Sequence, residues 1–107
     1  MIFNGMEEKT IVPMYRALEN ETGNLVFYWN DAIVVGKIIT WYETDNELEE
    51  DEIGYEEYNV CSIQIVNIIQ DRLNQFQKGA YYEAMYRNMP NQVKNLEGEV
   101  IFSLGNG

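Results

Sequence analysis

Leu25-Val26-Phe27-Tyr28-Trp29-Asn30-Asp31-Ala32-Ile33-Val34-Val35-Gly36-Lys37-Ile38-Ile39-Thr40-Trp41-Tyr42 is the stretch on which the fold turns. Its two halves are rich in β-branched and aromatic side chains, which suit a pleated and half-buried surface. Between them Asn30-Asp31 supplies turn-forming side chains. The spacing predicts a β-hairpin with arms at 25–29 and 32–42. Gly36 interrupts the second arm, where a missing side chain marks a bulge or a sharp bend that lets a sheet curl.

Outward from this hairpin, Val60, Cys61, Ile63, Ile65, Val66, Ile68 and Ile69 form another apolar run. Its β-branched content and its alternating first half favour a strand over 58–69, the best candidate for a central one. Shorter strand-like segments follow at 81–87 and 99–104, separated by turns at Asn88-Met89-Pro90-Asn91 and at Glu97-Gly98. The first of the two also suits a helix through Ala80, Glu83 and Ala84, and is read here as strand. Before the hairpin, Ile11, Met14, Tyr15 and Leu18 recur at helical spacing, and Pro13 is tolerated only in a first turn, so a short helix starting near Val12 is expected. The fold class that results is mainly β (α+β): a short N-terminal helix and a strongly bent five-stranded antiparallel sheet or small barrel.

The chain has 107 residues, enough for one domain that buries roughly 65% of the surface its unfolded chain exposes. No repeat, low-complexity tract or linker divides it, so 1–107 reads as a single domain. Eighteen acidic residues against seven basic ones and no histidine leave a formal charge of -11. Such a field repels nucleic-acid phosphate and anionic lipid and attracts basic surfaces, so nucleic acid is an unlikely partner. One cysteine, Cys61, allows no intramolecular disulfide. With no basic start and apolar run at the N-terminus, and no apolar stretch near the ~18 residues of a membrane span, the expected location is the cytoplasm.

The most distinctive feature lies between the two long strands. Glu43, Asp45, Glu47, Glu49, Glu50, Asp51, Glu52, Glu56 and Glu57 are nine of the eighteen acidic residues, with no basic residue among them. Like charges at this density repel, so the segment is expected to be an exposed, mobile loop. It is flanked by Trp41 and Tyr42 on one side and by Tyr55 and Tyr58 on the other. Rings supply anchoring area and carboxylates pair with Lys or Arg, so these thirteen residues together form the candidate partner-binding surface, directed at a basic protein.

Leu25 to Ile38, with Trp41 and Asn46 beyond it, resembles the first Sm motif of Sm-like proteins: a strand, a turn, a glycine opening a bent second strand, then an apolar and an aromatic residue and an asparagine at the next turn. The resemblance covers about 25–48. It implies an N-terminal helix followed by a five-stranded, strongly bent antiparallel barrel, and with it the alternative of a homo-oligomeric scaffold or weak RNA binder. Tyr42 replaces that family's usual aspartate, Asp31 its turn glycine, and Ser103-Leu104-Gly105 lacks its arginine. Uridine binding is accordingly not carried over.

Catalytic and metal equipment is not evident. Aligning Gly54 with the glycine of a calcium-binding EF-hand loop puts Ile53 and Val60 where oxygen ligands are required. A run of exposed carboxylates offers neither burial nor fixed spacing for acid–base work on a glycoside. Cys61 lies mid-strand without a histidine to activate it, and reads as a small core residue. No cofactor is expected. A pocket lined by Tyr28, Tyr42, Tyr58, Tyr81, Tyr82 and Tyr86 is a further possibility. Charge, size and lack of chemistry together lead to the expectation of a non-enzymatic inhibitor or immunity-type protein that masks a basic surface, such as that of a nuclease toxin.

Overall fold

Trp29 pairs with Ala32 across the Asn30-Asp31 turn, as the sequence predicts, and the two arms run on as β1 (Asn24–Trp29) and β2 (Ala32–Asp45). The computed structural model describes residues 5–104; Gly105-Asn106-Gly107, which the sequence reads as a flexible tail, lies outside the described residues. The remaining elements are α1 (Ile11–Leu18), β3 (Glu57–Asp71), β4 (Tyr81–Ala84), β5 (Gln92–Lys94) and β6 (Val100–Ser103). All six strands pair antiparallel in the order β4-β3-β2-β1-β5-β6. The mainly β class with a short helix holds. The sheet has six strands rather than five and is open, with β4 and β6 at its edges, rather than closed into a barrel.

The additional strand is β5, only three residues long and carrying a single large apolar side chain, Val93, which is fully buried. Three residues are too few to show a period, yet β5 joins β1 to β6. β4 is shorter than expected, ending at Ala84 instead of Arg87. Asn88 causes this: its Oδ1 accepts the Met85 backbone N–H at 2.7 Å and its Nδ2 donates to the Glu83 carbonyl at 3.3 Å, which turns the chain out of the ladder. Both long strands instead run past their expected ends, β2 to Asp45 and β3 from Glu57 to Asp71.

Apolar residues at i, i+3 and i+7 give α1 a buried face of Ile11, Met14 and Leu18, while Pro13 and Arg16 remain exposed. That face packs on β6 and joins Leu25, Phe27, Val34, Ile63, Ile65, Val93 and Phe102 in one core. The β2–β3 pair bends through three register shifts. One lies at Val35/Gly36, where the glycine signal placed it. A Cβ on Gly36 would sit 2.6 Å from Ile63 Cγ2 and 3.1 Å from the Gln64 carbonyl oxygen, so only glycine fits this close approach.

Candidate partner-binding hairpin

β1 pairs with β2 only as far as Lys37, and β4 pairs with β3 only from Cys61 to Gln64. Beyond those points β2 and β3 continue together to the Asp45–Glu57 pair. The second half of this hairpin therefore overhangs the rest of the sheet, and the molecule measures 46 × 28 × 24 Å. From Ile38 to Asp71 the sequence contains no lysine or arginine. Beyond Lys37 the arm thus carries carboxylates along its length with no cation of its own to neutralise them.

The acidic segment is less of a loop than its charge suggests. Glu43, Asp45, Glu57 and Tyr58 are strand residues, with Glu43 opposite Asn59 and Thr44 opposite Tyr58. The connection between the strands is built around Asn46. Its Nδ2 donates to the Gly54 carbonyl at 2.7 Å, its Oδ1 accepts Glu56 N–H at 3.3 Å, and its backbone N–H donates to the Glu56 carbonyl at 3.1 Å. Asp45 accepts Glu47 N–H at 2.9 Å, and Glu47 takes a left-handed backbone (φ 69°). Glu52 N–H donates to the Glu49 carbonyl at 3.0 Å. These turns present Glu49, Glu50, Asp51 and Glu52 to solvent together with Ile53, which is fully exposed, and Leu48. Neither apolar residue is among the thirteen that the sequence marks as partner-binding; an isoleucine directly after four acids was the available signal.

Strand alternation divides the flanking residues between two faces. Trp41, Glu43, Asn59 and Cys61 share one of them. There Trp41 is turned toward the body: its ring meets Tyr15 of α1 edge-on with centroids 5.0 Å apart. Its Nε1 is buried and has no hydrogen-bond partner among the described residues. On the same face the carboxylate of Glu7, fully buried, accepts the Asn59 backbone N–H at 2.7 Å and its Nδ2 at 3.1 Å. Cys61 is buried as expected, and that burial pushes its thiol up to about 12.

Tyr42, Thr44, Tyr58 and Val60 share the other face and line a groove of about 350 Å³, which Asp45 and Glu47 enter from the hairpin and Glu83, Met85 and Asn88 from the β4 side. Tyr42 lies beside Glu83 in this groove; burial first, then the neighbouring Glu83 carboxylate, push its phenol up to about 12. A second hollow of about 310 Å³ is lined by Glu43, Thr44, Asp45, Glu50, Tyr55 and Glu57. Tyr55 donates to Glu57 at 2.8 Å, the main cause of a phenol pushed up to about 12. Glu56 points back instead, its Oε2 accepting from Tyr86 at 2.6 Å and from Arg87 at 3.3 Å.

The tyrosines read together from the sequence are thus dispersed. Tyr42 and Tyr58 meet in the groove, while Tyr28 lies under Lys94 and Tyr82 packs on Trp29 and Phe76. Glu83, Met85 and Asn88 reach the site from a segment far along the chain, and no local pattern announced them. Among the described residues no three acidic or cysteine side chains converge closely enough to hold a metal ion, and no helix is long and apolar enough to cross a membrane.

Residues 6–106 match the model of one protein family, described as the cognate immunity protein YxxD. The chain belongs to this YxxD family. No curated protein and no solved structure matches it. A cognate immunity protein of the YxxD kind has a toxin as its binding partner.

Proposed function

We propose that this protein neutralises its toxin without catalysis, by laying the acidic β2–β3 hairpin over a basic functional surface such as the active-site cleft of a nuclease. The observation that carries this is the overhang. A strand pair with no further strand beside it extends past the sheet's other pairings, and with its connection it holds half of the chain's acidic residues and contains no cation. An arm of that charge accelerates encounter with a positive cleft, and the field of a nuclease is positive because its substrate is a polyanion. Exposed Ile53 and Leu48 at the tip offer the apolar contact that slows dissociation. The cytoplasm, where Cys61 stays reduced, is the compartment in which such a complex would protect the cell.

The test uses the purified chain and its cognate toxin in a calorimetric titration at low and moderate salt. Affinity should fall as salt rises. The fourfold variant Glu49→Gln, Glu50→Gln, Asp51→Asn, Glu52→Gln should bind about tenfold more weakly or worse, mainly through a slower on-rate. Unchanged affinity in that variant would remove the tip from the toxin contact.

A further inference from the structure

The groove beside the tip differs from the tip itself in having walls. Tyr42 and Tyr58 supply two aromatic rings, Val60 and Met85 a smaller apolar part of the lining, and Asp45 and Glu83 acidic residues from different strands. We infer that this groove receives one arginine side chain of the cognate toxin. The inference rests on the toxin-facing role proposed for the hairpin and names the chemistry that one part of it recognises.

Three properties of the site select arginine. Its carboxylates do not converge as a metal ion needs. A compact charge would meet them singly, whereas a planar guanidinium with five donors spans separated acceptors. The aromatic walls favour a flat, weakly hydrated cation that stacks, and the apolar lining suits the three methylenes of its stem. Finally, the β3–β4 pairing sets Glu83 opposite Ser62, so one acceptor stands beside Tyr42 in the groove before any guest arrives. A volume of about 350 Å³ lies at the small end of binding pockets and suits one side chain rather than a folded element.

A titration with capped amino acids tests the groove without the toxin. N-acetyl-arginine amide, followed by NMR on the intact chain, should shift the resonances of Tyr42, Tyr58 and Val60 saturably in the millimolar range. The lysine analogue should bind about threefold more weakly or worse, and the neutral citrulline analogue should leave those resonances unmoved. Glu83→Gln, an exposed and isosteric change, should weaken the arginine response at least about threefold, while the fourfold tip variant should retain it. Groove resonances that do not respond, that respond equally to all three analogues, or that respond equally in Glu83→Gln would overturn the assignment. Because the probe is not the toxin, a silent groove leaves toxin binding by the tip standing. A tip variant that still binds toxin leaves the groove result standing in turn.

Discussion

The phenol of Tyr86 donates a 2.6 Å hydrogen bond to the Glu56 carboxylate, tying the β4–β5 connection to the far end of the acidic hairpin, just before β3, across thirty residues of sequence. Arg87 adds an ion pair to the same oxygen at 3.3 Å and lies 5.0 Å from the Tyr86 ring centre. Glu56 thus uses its charge internally, to hold the arm against the body. Tyr86→Phe should therefore lower stability by about 1 kcal/mol, since the pair is partly solvated. It should also raise amide exchange in 46–56 more than in β1. Equal exchange in the two regions would show that the arm is held by other contacts.

Gly36 sits where β2 comes closest to the core, and its missing side chain is what allows Ile63 and the Gln64 carbonyl to close over it. Gly36→Ala forces a Cβ into contacts that backbone and a buried isoleucine must absorb. A loss of about 1–3 kcal/mol is expected, read as a lower urea midpoint at unchanged slope. Gly23, which has open space around it, should accept alanine with little change, and serves as the control. An equal response at both positions would refute the close-approach explanation.

How far the sequence reached can be judged at these same residues. The hairpin, α1 and the bend at Gly36 were legible because each rests on a local signal: alternation, helical spacing, a glycine inside an apolar run. β5 was not, because three residues carry no period and its pairing with β1 is decided by Val93 finding the core. The acidic segment was recognised as a surface, but charge alone does not show that Asn46 would order its connection or that Glu56 would turn inward. Trp41 and Tyr42 are neighbours in sequence and alternation sends them to opposite faces, so only Tyr42 lines the groove. Glu83 faces Tyr42 because of the β3–β4 register, a long-range fact that composition does not contain.

Alkaline titration should resolve the hairpin's phenols. Tyr42 and Tyr55 are both pushed up to about 12, Tyr42 chiefly by burial and Tyr55 chiefly by its bond to Glu57. A phenol raised in the folded state stays protonated there after it ionises in the unfolded chain. Its stabilising contribution is complete below the unfolded value near 10 and is lost as pH rises from about 10 toward about 12. Phenolate absorbance should accordingly show a late phase beyond that of ordinary tyrosines, and the melting temperature should fall through the same window. Tyr42→Phe should remove part of the late phase. A single phase near pH 10 from a chain that is still folded would contradict the assignment.

Glu7 is fully buried, and its carboxylate accepts both the backbone and side-chain N–H groups of Asn59. This anchors the segment before α1 to β3 at the point where the hairpin leaves the sheet. Glu7→Gln keeps the shape but turns one acceptor into a donor facing another donor, while Glu7→Ala leaves both Asn59 groups without this acceptor. Each should cost about 2–4 kcal/mol, because donors deprived of an acceptor in the interior carry their full desolvation penalty. Urea denaturation gives the number. Paired with Asn59→Ala in a double-mutant cycle, Glu7→Ala should show a coupling well above 0.5 kcal/mol, the threshold for residues in contact. Simple additivity would mean that Glu7 acts through the N-terminal segment rather than through Asn59. The same cycle read on toxin affinity separates stability from binding: Glu7 lies in the interior, so any loss of affinity after its removal reports a displaced arm.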